Sequence, residues 1–208
     1  MFNVYSDETY TKFIHPGDRT VRPLFGDAAA ATLIQAMESA DSSATPSIGP
    51  FVYGTDGKGA KNLIVPNGGL RSPKTCQSAN AIEDGHDNVH SGDYLYMNGP
   101  AIYTFALRIV PEAVKSLLSK AGKCMEDLDF FVFHQANKFI LEDLKKKIKI
   151  PQEKFYVAYQ KFGNTVSSTI PIALKEALND GGVKSGHIVM LVGFGVGYSW
   201  AAILINWE

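Results

Sequence analysis

Short apolar segments that alternate with amphipathic ones predict an α/β fold, with helices on both faces of its sheet. Three observations carry that prediction. Phe130-Phe131-Val132-Phe133 is a continuous apolar run, the mark of a strand covered on both sides. Ile102, Phe105, Ile109, Ala113 and Leu117 recur at helical spacing ahead of it. From His187 to Trp207 there is no Asp, Glu, Lys or Arg, and Gly193, Gly195 and Gly197 divide the stretch in two. As one helix it would be long enough to cross a bilayer. Glycines in the middle and β-branched residues on either side fit two buried strands joined by a tight turn better.

The elements follow in order. Phe2 to Tyr5 is a short strand, and His15-Pro16-Gly17-Asp18-Arg19 a polar turn. Ala28 to Ile34 opens on four alanines, which by propensity favour a helix. Small residues also suit a strand packed closely between layers, and a strand is predicted. Asp41 to Pro50, rich in Ser, Thr, Ala and Pro, reads as a boundary that divides the chain into residues 1–40 and 41–208. Phe51 to Tyr53 and Asn62 to Val65 are strands. Pro66 to Gly92 is a long polar loop, of the kind that covers a site or lies disordered. The helix from Ile102 to Lys120 is kinked by Pro111 and stopped by Gly122. Leu141 to Ile148 is a basic helix, Phe155 to Val157 a strand, and Ser167 to Leu178 a helix with Pro171 in its first turns.

Composition narrows the function classes. The 208 residues are 45% hydrophobic and 20% charged, ordinary for a soluble globular protein. A net charge of −1 gives no overall pull toward nucleic acid or an anionic membrane. Cys76 and Cys124 lack the spacing of a zinc or redox pair, so a reducing cytoplasm is expected. Asp7, Glu8 and Lys12 interrupt any signal-peptide pattern near Met1. His86 and His90, with Asp84 and Asp87 nearby, have a spacing that binds zinc on a helix. The segment is a glycine-containing loop with no third ligand in view, so no metal is expected. A GxSxG serine hydrolase motif is absent.

Three features carry chemistry. His134 ends the buried strand, in Phe133-His134-Gln135-Ala136-Asn137, where ligands bind in open α/β sheets. Taken alone it is better explained as a structural histidine, capping the strand or at the core edge. Asn164 lies in Phe162-Gly163-Asn164-Thr165 between a strand and a helix, a place that also suits a capping asparagine. Gly195-Val196-Gly197 turns between the last two strands. In this order, HQAN, GNT and FGxGxxW resemble the β-ketoacyl-acyl-carrier-protein synthase III family of the thiolase-fold superfamily. Phe25-Gly26-Asp27-Ala28-Ala29-Ala30-Ala31 is similar to that family's FGDGAGA segment, with Asp18-Arg19 matching ahead of it.

The resemblance implies a thiolase-like mixed sheet. Residues 1–40 would end the N-terminal half of the duplicated fold, and 41–208 would form its C-terminal half. It implies acyl transfer from coenzyme A to a cysteine, then decarboxylation of a malonyl group on acyl carrier protein and attack of the resulting carbanion. His134 and Asn164 would donate hydrogen bonds to the enolate oxygen, and the backbone of Val196 would serve a second oxyanion hole. Arg19, Asn137 and Gly99 would meet coenzyme A, which enters as a thioester substrate; no resident cofactor is implied. Many relatives carry a carrier-docking arginine where this chain has Phe139. Lys138, Lys145 and Lys146 would dock the acidic carrier protein instead, in a stretch to Lys154 with six lysines against three acids. The intact enzyme would be a cytoplasmic homodimer.

The family's nucleophilic cysteine precedes the FGD segment, and no cysteine stands upstream of Phe25. The chain therefore reads as a C-terminal part of the enzyme, inactive alone for want of that cysteine. An alternative is a non-catalytic half-protein that binds coenzyme A or carrier protein, or is completed by a partner chain. Either way, an apolar face larger than the ~300–600 Å² usual for a monomer is expected, along with self-association or mobile loops at 66–92.

Overall fold

Among the described residues, apolar alternation builds a four-stranded sheet and a separate long two-stranded one, with helices that separate and cover them, beside two pairs of very short strands. The computed structural model describes residues 1–36, 47–83 and 88–208. Strands Phe2–Glu8 (β1) and Ala28–Ile34 (β2) come first, followed by Ile48–Thr55 (β3). Four two-residue strands, Leu63–Ile64 (β4), Ile82–Glu83 (β5), Val89–His90 (β6) and Tyr96–Met97 (β7), punctuate the polar stretch. Helix Gly99–Ala121 (α1), strand Phe130–Phe133 (β8), and helices Lys138–Ile148 (α2), Tyr159–Phe162 (α3) and Thr169–Asn179 (α4) follow. Ile188–Gly195 (β9) and Ser199–Asn206 (β10) close the chain.

The main sheet has the order β3-β10-β9-β8. β8 and β9 run parallel and the other pairs antiparallel, so the sheet is mixed. Side chains alternate across it with period two. Phe131, Phe133, Met190 and Val192 face α1 and α2, where Phe105, Val110, Leu117, Leu141 and Leu144 complete the larger core. Phe130, Val132 and Val189 face α4 and pack on Ala173 and Ala177. β8 is buried on both faces, which is why its sequence is apolar without alternation.

β1 and β2 form a separate antiparallel pair in register from Phe2↔Ile34 to Glu8↔Ala28. The alanine run is thus a strand, as expected: pairing with β1 overrides helix propensity. Helix α4 lies between the two sheets and touches β2 as well as β8 and β9. Ser168, at the start of α4, donates its hydroxyl to the carbonyl of Ser6 (3.0 Å), binding the layers together. Tyr5 and Leu33 are exposed on the outer face of this pair, and Phe2 and Val4 are exposed at its far end on the opposite face, the one that carries Ser6.

Helix α1 starts at Asn98, whose side chain accepts from the Ala101 N–H (3.2 Å). It ends at Gly122, at φ 63°, a left-handed turn that favours glycine. It continues through Pro111 as one helix, with Phe105, Ile109, Ala113 and Leu117 buried as their spacing required. The stretch 155–157 differs from expectation. It is no strand but a single parallel bridge from Phe155 to Phe131. The pairing that would extend it is taken by a side chain, because Gln135 Oε1 accepts the N–H groups of Ala158 (2.7 Å) and Tyr159 (3.3 Å). Ile48 to Pro50, expected in the linker, belong to β3. The expected boundary at 40/41, and His86, Asp84 and Asp87 of the weighed zinc site, lie outside the described residues. Within 66–92 the described part is tied down: Asn67 Nδ2 donates to the Gly92 carbonyl (2.8 Å), and Ser78 Oγ to Asp93 (2.6 Å).

Candidate active site

A cavity of about 510 Å³ opens beyond the C-terminal end of β8. Its wall includes His134, Asn137, Asn164, Thr169, Phe194 and Val196, with Tyr10, Phe25, Met97 and Ile102 from the flanking segments. Residues far apart in the chain thus meet where the ends of the main sheet, the segments at Tyr10 and Phe25, the loop at Asn164 and the first turns of α1 and α2 adjoin.

His134 is held by its backbone and by its ring. Its N–H donates to the Val192 carbonyl (2.8 Å), extending the β8–β9 pairing by one residue. Nδ1 lies 2.6 Å from the Thr169 hydroxyl, and the ring meets Phe194 edge to face at 5.3 Å. Burial lowers its pKa from 6.5 to about 4, because the charged form loses its hydration. The imidazole is therefore neutral near pH 7 and carries a single N–H.

Asn164 reaches the cavity through two glycines. Its N–H donates to the Leu24 carbonyl (2.8 Å), and its carbonyl accepts from the Gly26 N–H (3.0 Å). This clamp lays segment 24–26 directly against 162–164. A Cβ on Gly26 would stand 2.4 Å from the Phe162 carbonyl oxygen, and Gly163 sits at φ 69°. Both glycines are needed for contact this close. The Asn164 side chain is oriented by one bond: its Oδ1 accepts the Val166 N–H (2.9 Å). Since a backbone N–H can only donate, the oxygen is the tethered atom and the NH₂ remains for the cavity.

The other expected site residues fall into three groups. Val196 and Asn137 line the cavity; Asn137 also caps α2, its Oδ1 accepting from the Ile140 N–H (3.0 Å). Gly99 and Arg19 are outside the wall. Gly99 opens α1 between the lining residues Met97 and Ile102, while Arg19 is an exposed residue whose N–H donates to Asn88 (2.7 Å). Lys138 and Lys146 are exposed on α2, but Lys145 is a correction. Its side chain is 11% exposed and its ammonium is taken by Glu142 (2.7 Å) and by Gln152, so it braces the helix and offers no free charge to a partner.

Cys76 and Cys124 are both exposed, and neither lines the cavity. Hydrogen bonding to Asp127, and then to Glu126, raises the Cys124 thiol pKa, the opposite of what a nucleophile needs. No group of three potential metal ligands exists among the described residues, and no described helix is long and apolar enough to cross a membrane. Sequence reading missed two contributors. Thr169 holds the imidazole. Gln135, 2% exposed, donates to the Phe133 carbonyl (2.7 Å) while accepting from residues 158 and 159. A glutamine directly after a catalytic-type histidine, in an otherwise apolar context, was the available signal for the second; the first had none.

A mixed sheet clad by helices on both faces, with a neutral imidazole and a carboxamide opening on one cavity, defines a thiolase-like protein. Comparison with known proteins agrees. Two family models match: 3-oxoacyl-[acyl-carrier-protein (ACP)] synthase III over residues 4–57, and the C-terminal model of the same name over 118–207. A β-ketoacyl-[acyl-carrier-protein] synthase III of Caldanaerobacter subterraneus is 34% identical over 205 residues, covering 99% of this chain and 58% of the relative. One of Symbiobacterium thermophilum is 37% identical over 200 residues, covering 96% and 56%. A crystal structure of a 3-oxoacyl-(acyl-carrier-protein) synthase III superposes with a TM-score of 0.94 at 48% identity, covering 99% of this chain and 60% of that one. The Thermus thermophilus structure gives 0.81 at 32%, covering 99% and 59%. The chain belongs to the 3-oxoacyl-[acyl-carrier-protein] synthase III family. It spans less than two thirds of the length of these relatives.

Proposed function

We propose that these residues form the decarboxylating part of a 3-oxoacyl-acyl-carrier-protein synthase III, a cytoplasmic acyltransferase of fatty acid synthesis that acts as a homodimer. The carrying observation is that His134 and Asn164, from separate loops, line one cavity, with the Asn164 oxygen tethered so that its NH₂ is the free end. In the reaction, malonyl-acyl carrier protein places its thioester carbonyl between them. The bond from C2 to the carboxylate breaks, carbon dioxide leaves, and the electron pair moves onto the thioester oxygen as an enolate. The His134 Nε2–H and the Asn164 Nδ2–H donate to that oxygen. C2 then attacks an acyl-cysteine, and the thiolate departs.

The acyl group comes from a coenzyme A thioester, a substrate rather than a resident cofactor. Arg19 and Asn137 contact it, and Gly99 borders its channel. The backbone N–H of Val196 stabilises the oxyanion of the attacked acyl-cysteine. Lys138 and Lys146 dock the acidic carrier protein, with Phe139 between them in the family's arginine position. The nucleophilic cysteine lies outside these 208 residues. Supporting this are the exposure of Cys76 and Cys124 away from the cavity and the exposed apolar side chains on both faces of β1–β2. The chain alone is thus competent for decarboxylation and silent in condensation.

The test is formation of acetyl-acyl carrier protein from malonyl-acyl carrier protein, followed by mass spectrometry. His134→Ala and Asn164→Ala each slow it by roughly 10²–10³-fold, the cost of one pre-organised oxyanion donor. No acetyl product from the unmodified chain, or undiminished rates in both variants, overturns the reading.

A further inference from the structure

We infer that Thr169 is the positioning residue that selects the tautomer of His134, delivering its hydroxyl proton to Nδ1 so that the imidazole presents Nε2–H to the cavity. The inference deepens the reading above and rests on it for its functional meaning. Its physical basis is a proton count. A neutral imidazole carries one N–H, and a hydroxyl carries one proton but accepts freely. Thr169 Oγ1 has two partners, His134 Nδ1 at 2.6 Å and the Val166 carbonyl at 2.9 Å. If the hydroxyl proton goes to the carbonyl, Nδ1 must hold the imidazole proton, and Nε2 faces the cavity as a bare lone pair. A bare lone pair repels an enolate. If it goes to Nδ1, Nε2 holds the proton and serves as donor.

Two features favour the second arrangement. The Val166 carbonyl already accepts the backbone N–H of Thr169, so it does not need the hydroxyl. Nδ1, in contrast, has the Thr169 hydroxyl as its one hydrogen-bond partner among the described residues, and an unprotonated buried nitrogen requires a donor. Thr169 is 2% exposed, which keeps water from substituting for it. The hydroxyl also stands on the first turn of α4, anchored to the other sheet through Ser168, so its position is set by the layer between the sheets.

The test reads the ring nitrogens of His134 by two-bond ¹H–¹⁵N correlation at pH 7.5, without substrate. Wild type and Thr169→Ser show the Nε2–H pattern. Thr169→Val, which keeps the shape and removes the hydroxyl, moves the tautomer ratio at least tenfold toward Nδ1–H. Decarboxylation falls in Thr169→Val and is rescued by Thr169→Ser. A wild-type ring resting as Nδ1–H overturns the proposal, and that spectrum decides even if Thr169→Val fails to fold. An unchanged Nε2–H pattern in folded Thr169→Val overturns it too. Tautomer shifts in a chain that never decarboxylates sink the proposed function and spare Thr169; decarboxylation with a hydroxyl-independent tautomer does the reverse.

Discussion

Adding one methyl group at Gly26 tests the link between the FGD motif and the placement of Asn164. Gly26 has no positive φ, so alanine there meets no backbone strain; the cost is steric alone. The new Cβ would lie 2.4 Å from the Phe162 carbonyl oxygen, whereas relaxed carbon–oxygen contacts lie near about 3.3–3.6 Å. Both atoms belong to backbone or are one bond from it, so no rotamer change relieves the clash. Segments 24–26 and 162–164 must separate by about 1 Å. That stretches the Gly26 N–H to Asn164 carbonyl bond, 3.0 Å in the native chain, past useful length. Overpacking of this kind costs about 1–3 kcal/mol and the lost bond about 1 more, so Gly26→Ala should destabilise by roughly 2–4 kcal/mol. Denaturant unfolding at pH 7.5 measures it. Because Asn164 moves with the segment, decarboxylation should fall further than the folded fraction, on the order of 10²-fold. A Gly26→Ala chain within about 0.5 kcal/mol of the parent, with full decarboxylation, refutes the clamp.

Two further predictions follow. Burial holds the folded pKa of His134 at about 4, below its ordinary 6.5. As pH falls from about 6.5 toward 4 the unfolded chain takes up a proton that the folded chain refuses, so stability present above 6.5 declines across that window by roughly 3 kcal/mol. Unfolding midpoints at several pH values show this slope, and His134→Gln should flatten it. On α2, Lys138→Glu and Lys146→Glu should each weaken binding of acyl carrier protein several-fold. Lys145→Ala should instead cost about 1–2 kcal/mol of stability and leave carrier affinity alone, read by titration calorimetry and unfolding.

The main sheet was legible because its signals are local: β8 and β9 are apolar runs, the glycine turn divides β9 from β10, and α1 has an unbroken helical stripe ending at Gly122. What sequence reading missed depends on neighbours distant in the chain. The 155–157 stretch has strand composition, yet a carboxamide from residue 135 ends its pairing. Lys145 has the composition of a docking surface, but helix geometry turns it inward toward Gln152. His134 and Asn164 were legible through motif order, since a loop at a strand end and a glycine-flanked asparagine have recognisable residues. Thr169 was not, because a threonine at the start of a helix is ordinary in any sequence.

Neutrality of the pair explains why both donors take this form. In the proposed reaction a malonyl thioester arrives with a carboxylate and becomes an enolate, so its negative charge moves during the step. A cationic histidine would pair with the carboxylate and stabilise the ground state as much as the transition state, which gains nothing in rate. A buried imidazole that refuses a proton until about pH 4 avoids that trap. It becomes more strongly bound only as charge builds on the oxygen it faces. Asn164 achieves the same by composition, since a carboxamide is neutral at every pH, and the tether from Val166 fixes which end faces the substrate. The two residues then differ in one respect: backbone geometry alone sets the donor atom of Asn164, while that of His134 depends on where a single hydroxyl proton sits. On the proposed reaction, the imidazole is the component whose catalytic contribution depends on a neighbour.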